Sequence, residues 1–95
     1  MTPSDAVTLA HQLFSQSGGS AALQEFAYQP RNYVRGSSVF LAEYAGLVVD
    51  QALGQQRFGP GEAGRVHTRL VKVMRLFWEL ICESQRLARY TYMVD

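Results

Sequence analysis

Residues 62–93, EAGRVHTRLVKVMRLFWELICESQRLARYTYM, decide the fold of this chain. Val66, Leu70, Val73, Phe77, Leu80 and Leu87 recur in steps that sum from threes and fours, the signature of one apolar helix face. The stretch contains no proline, and Gly64 is its only glycine. It therefore predicts one unbroken helix of about 45 Å at about 1.5 Å per residue.

The segments before it predict shorter helices. Ser4 or Thr2 caps a first helix with Pro3 in its opening turn, and Ala6, Leu9, Ala10, Leu13 and Phe14 form its stripe before Gly18 and Gly19 stop it. Ser20 opens a second, short helix through Leu23, Phe26 and Ala27, ended by Pro30 because the residue before proline avoids helical geometry. Residues 30–36 read as a connector; Tyr28, Tyr33 and Val34 suit a brief extended stretch, but no other segment offers it a strand to pair with. Ser37 or Ser38 caps a third helix that runs to Leu53, with Gly54 in the place of a C-terminal glycine cap. Val39, Phe40, Leu41, Tyr44, Leu47, Val48 and Val49 leave it only a narrow polar line through Glu43 and Asp50, the pattern of a central helix. A loop over residues 55–61 leads into the long helix.

The expected fold is all-α: one domain over residues 1–95, a small bundle of three shorter helices plus one long C-terminal helix. With 95 residues, folding buries only about 60 to 65% of the unfolded surface, so stability is marginal. The 47% hydrophobic content against 18% charged residues nevertheless supports a packed core rather than disorder. The third helix is about half as long as the fourth, which predicts that roughly half of the fourth lies beyond its cover. That half carries Phe77, Trp78, Leu80, Ile81, Leu87, Tyr90 and Tyr92. A patch of this kind is unusual on a soluble monomer. A homodimer covers it most simply, with Leu70, Val73, Phe77, Leu80, Ile81 and Leu87 at the seam. The alternative is a monomer whose first two helices fold back over the overhang. Ser84 and Thr91 interrupt the stripe, which favours an antiparallel or crossed helix pair over a long parallel coiled coil.

Charge is placed unevenly. The net charge is +1, made of −2 over residues 1–54 and +3 over residues 55–95. Arg65, Arg69, Lys72 and Arg75 share one face of the long helix, where positive charge near a helix N-terminus opposes the helix dipole and like neighbours repel. Glu62 is positioned to pair with Arg65 and Glu79 with Arg75, leaving Arg69 and Lys72 without a local counterion. The row reads as a solvated face, as a docking face for an acidic protein, or as a nucleic-acid contact. Weak net charge and the lack of a helix-turn-helix spacing count against the last. Trp78 and the terminal Tyr90 and Tyr92 are natural interface anchors, since aromatic side chains pair a large apolar body with a polar edge.

Catalytic and metal chemistry find no motif. His11 and His67 lack paired metal spacing, Cys82 is the only cysteine, and the glycines around Pro60 have neither the Lys-Ser/Thr nor the preceding strand of a phosphate loop. No metal or cofactor is expected. A single cysteine and an N-terminus without a signal-peptide pattern place the chain in a reducing cytoplasm, and no run reaches the roughly 18 to 20 apolar residues of a membrane span. By elimination the sequence points to a small non-enzymatic regulator that binds another protein, such as a transcription regulator, as an adaptor, inhibitor or anti-activator. In that reading Trp78, Tyr90 and Tyr92 anchor the partner, and Arg65, Arg69, Lys72 and Arg75 steer its acidic surface. The second reading is a nucleic-acid-binding regulator that uses the same basic row.

Overall fold

A computed structural model describes the backbone of residues 1–94 and the side chains of residues 1–88. Every regular element among them is helical: α1 (Pro3–Gln16), α2 (Gly19–Ala27), α3 (Pro30–Tyr33), α4 (Ser37–Gly54) and α5 (Ala63–Val94), with a 3-10 turn at Pro60–Glu62 before α5. The molecule is elongated, 52 Å by 28 Å by 19 Å, because the 32 residues of α5 alone span about 48 Å.

The start of α1 is fixed by reciprocal capping. The Thr2 hydroxyl accepts from the Asp5 N–H at 3.2 Å, and the Asp5 carboxylate accepts from the Thr2 N–H at 3.0 Å. The Thr2 backbone N–H, and after it the Thr2 side chain, hold the Asp5 carboxyl below the usual aspartate range. With its folded-state pKa depressed, this cap stabilises α1 above the unfolded pKa and is lost as pH falls through the folded one.

The turn between α1 and α2 needs two left-handed residues, Gly18 at φ +112° and Gly19 at φ +62°. The cap of α2 is therefore Gly18, not Ser20, and no side chain takes part. The connector expected after Pro30 is in fact α3. Gln29 is extended, Pro30 supplies a helical φ at the first position, and the Asn32 side chain donates to the Phe26 carbonyl at 2.9 Å, folding the turn against the end of α2. Asn32 is buried, and its side-chain oxygen accepts from Arg35 at 3.1 Å, while Arg35 bridges to Glu43 at 2.5 Å. This polar network ties the α2–α3 corner to α4.

Helix α4 begins on Gly36 without a side-chain cap and includes Gly54 as its last residue. Its C-terminal closure lies two residues later than the sequence suggests. Gln56 adopts φ +59°, its N–H reaches the Leu53 carbonyl at 3.0 Å, and the Arg57 N–H reaches the Ala52 carbonyl at 3.1 Å, the paired bonds of a Schellman cap. Glutamine in this conformation is strained by about 1 kcal/mol or more. Gln56→Gly is expected to raise stability by about 0.5 to 1 kcal/mol, seen as a melting temperature higher by roughly 2 to 8 °C. An unchanged or lower melting temperature would contradict this reading of the cap.

The core lies between α5 and the three helices laid on it. Leu23, Leu41, Val66, Leu70 and Met74 are fully buried, with Ala6, Ala10, Leu13 and Phe14 of α1 and Phe40, Ala45, Val49 and Ala52 of α4 around them. α1 runs alongside α5 in the same direction. Arg65 donates to the Met1 carbonyl at 2.9 Å at one end, and the Phe14 ring lies 4.7 Å from Phe77 at the other. α2 continues that cover, since the Tyr28 hydroxyl at its end donates to Gln85 at 2.7 Å. α4 runs antiparallel on the other flank, where His67 reaches the Ala42 carbonyl at 3.1 Å and Phe40 meets Trp78.

Two expectations change as a result. The cover of α5 reaches Gln85 rather than its midpoint, because α1 and α2 lie end to end along it. α4 is not buried all round either: Val39 and Leu47 are exposed, because helices pack on its inner side only.

Candidate protein-interaction faces

The apolar stripe of α5 splits between two environments. Leu70 and Val73, expected at a dimer seam, are 0% and 5% exposed and belong to the core of the protomer itself. α1 packs on that stripe, so the stripe is spent within one chain. Phe77 is half-buried against Phe14. Ile81, also half-buried, floors a shallow groove of about 240 Å³ between α2 and α5, with Ser20, Gln24, Leu80, Ser84 and Gln85 around it.

The most exposed aliphatic side chains of α5 lie on a different edge of the helix. Leu76, Leu80 and Leu87 are 61%, 63% and 56% exposed and lie along one side of α5. Leu80 and Leu87 were among the expected seam residues, whereas Leu76 was not. It lies off the buried stripe, and its only sequence signal is that it continues the row of Arg65, Arg69 and Lys72 at the same spacing.

The basic row is only partly paired. Arg65 bridges Glu62 at 3.7 Å, as expected. The expected Arg75–Glu79 pair is not among the ion pairs of the described residues, and Arg69, Lys72 and Arg75 carry no counterion among them. Arg69 is half-buried, while Lys72 and Arg75 are exposed. Further along the helix Arg86 bridges Glu83 at 2.6 Å.

Trp78 is not a free anchor. Its ring meets Phe40 edge-on at 5.0 Å and lies 6.1 Å from Tyr28, so it is half-buried within the protomer. This packing creates a second face that sequence reasoning missed. Tyr28 stands 6.2 Å from Tyr33, and Tyr33 and Val34 are 70% and 85% exposed on the short α3 turn. The aromatic row Trp78, Tyr28, Tyr33 thus runs from half-buried to solvent, on the flank of α5 away from Leu76 and Leu80. Its sequence signal was weak, because Tyr28, Tyr33 and Trp78 are brought together only by the α2–α3 corner. Tyr90 and Tyr92 fall on the last turns of α5, and their side chains lie outside the described residues.

The remaining candidates are dispersed. Cys82 is exposed on α5, and His11 is exposed on α1. His67 is held on the α4 backbone. Among the described residues no three His, Cys, Asp or Glu side chains gather where they could hold a metal ion, and no helix is long and apolar enough to cross a membrane. No protein-family model, curated protein or solved structure matches this chain.

Proposed function

We propose that the chain is a non-enzymatic protein-binding regulator that works as a helical homodimer and occupies the surface of a partner protein. The observation that carries this reading is the leucine edge of α5. Three large aliphatic side chains, each more than half exposed, line one side of a helix that outreaches the rest of the molecule. Covering each is worth up to about 1.5 to 3 kcal/mol, and a second copy offers the same edge in return.

Partner recognition then falls to the opposite flank. Tyr28, Tyr33 and Val34 present apolar area with polar rims beside the half-buried Trp78, the composition found where binding energy concentrates. Arg75, one helical turn before Trp78 and without a counterion among the described residues, draws an acidic partner surface toward the aromatic row. A nucleic-acid role for the basic row is less well supported, since Glu79 and Glu83 follow on the outward side of the same helix and repel phosphate.

The test is affinity capture from native lysate with wild-type, Tyr33→Ser/Val34→Ser and Leu80→Ser baits, washed at low and high salt. A protein held by wild type through high salt and lost from the Tyr33→Ser/Val34→Ser bait supports the assignment. Equal recovery by that bait and wild type overturns the choice of face. Capture of nucleic acid that falls steeply with salt overturns the protein-binding reading.

A further inference from the structure

The outward face of α5 carries a second row, distinct from its buried stripe: Arg65, Arg69, Lys72, Leu76, Leu80, Glu83 and Leu87. The steps are four, three and four up to Leu76, and four, three and four after it. Eleven residues over three turns stay close to the natural helix period, so the row holds one face with little drift. Arg69 is half-buried and the other six are exposed. The row is palindromic in spacing about Leu76 and antisymmetric in character. Before Leu76 every member is basic, and after it the members are leucine, glutamate and leucine.

We propose that two copies of this chain pair α5 against α5 in antiparallel fashion, with the two-fold axis at Leu76 and Arg69 of each copy facing Glu83 of the other. This rests on the homodimer of the preceding section and specifies its register. Reversing the helix direction about Leu76 sets Leu76 against its own copy. Lys72 falls opposite Leu80, where its four-carbon stem covers the leucine while the ammonium stays in water. Arg69 falls opposite Glu83, and Arg65 opposite Leu87. Each pairing occurs twice across the axis, as an isologous interface requires.

Charge selects this arrangement over the parallel one. A parallel pair would place Arg65, Arg69 and Lys72 against the same residues of the copy, and like charges facing one another are repulsive. The antiparallel pair gives Arg69 the counterion it lacks among the described residues. Glu83 has an oxygen to offer, because Arg86 engages only its Oε1. The row also explains why a basic run stands on the N-terminal half of a long helix against the helix dipole. Arg65 pairs with Glu62 of its own chain, and the counter-charge for Arg69 lies on the other copy.

The test combines mass with register. In a Cys82→Ser background, Leu76→Cys is expected to form a disulfide-linked dimer under mild oxidation, while Lys72→Cys and Leu87→Cys alone are not, because only the axis position meets itself. Arg69→Glu and Glu83→Arg are each expected to raise the dimer dissociation constant about tenfold, through two lost surface pairs and the repulsion that replaces them. Arg69→Glu/Glu83→Arg together is expected to return it to within about threefold of wild type, as charge complementarity is restored. A wild-type chain that sediments as a single copy overturns the homodimer and this register with it. A stable dimer that cross-links through position 72 or 87 but not 76, or that ignores both charge reversals, overturns the register and leaves the homodimer standing.

Discussion

Leu70→Ala is expected to lower the unfolding free energy by about 2 to 5 kcal/mol, while Leu80→Ala, ten residues on along the same helix, lowers it by less than about 1 kcal/mol. The two leucines share an apolar periodicity in the sequence, and the fold separates them. Leu70 has no exposed surface and sits among Val66, Met74 and the residues of α1 and α4, so its truncation leaves a cavity that close-packed neighbours fill only in part. Leu80 is 63% exposed and leaves none. In a domain of this size about 3 kcal/mol is a large share of the total stability and shifts the melting temperature by roughly 12 to 24 °C. Thermal unfolding of both variants, at a concentration low enough to hold them monomeric, checks the contrast. Equal destabilisation would mean that Leu80 is buried in the protomer, and the exposed edge would lose its basis.

Gly18→Ala is expected to destabilise by about 2 to 4 kcal/mol, from two causes that add. Gly18 sits at φ +112°, where an L side chain is strained, and a Cβ built there meets the Ala22 Cβ at 2.7 Å. Neither atom can swing away, since both are fixed to backbone at the α1–α2 corner. Gly46→Ala serves as the control. It lies inside α4 with ordinary helical geometry, and the nearest atom to an added Cβ is His67 Nε2 at 3.9 Å. There the better helix propensity of alanine is expected to give a neutral or stabilising change of up to about 1 kcal/mol. Denaturant unfolding of the pair decides the matter, and a Gly18→Ala chain as stable as wild type would mean that the corner is built differently. Because this corner aligns α2 behind α1 on α5, the substitution also disturbs the groove beside Leu80.

What the sequence made legible was periodic, and what it hid was the identity of neighbours. The spacing of Val66, Leu70, Val73 and Phe77 implied a long amphipathic helix because only a 3.6-residue repeat brings those side chains to one side. The same spacing says that the face is covered and not by what. For this reason Leu70 and Val73 looked like seam residues, when α1 of the same chain covers them. Length comparison failed for a related reason: α4 alone is short, but α1 and α2 in series reach Gln85. Turn chemistry was half legible. Gly18 and Gly19 stand where left-handed backbone is needed, yet the left-handed residue that closes α4 is Gln56 rather than Gly54, which continues the helix. Long-range juxtaposition was the least accessible. Nothing local to Tyr28, Tyr33 or Trp78 announces that they form one aromatic row, and Leu76 drew no notice because it lies off the buried stripe.

Sedimentation equilibrium of the wild-type chain across the micromolar range tests the central claim most directly, that the outward face of α5 mates with a second copy. The expected result is a mass of twice the 10.6 kDa protomer, shifting toward the single protomer when Leu76 and Leu80 are both replaced by serine. A wild-type mass that stays at one protomer up to the highest concentration would contradict it.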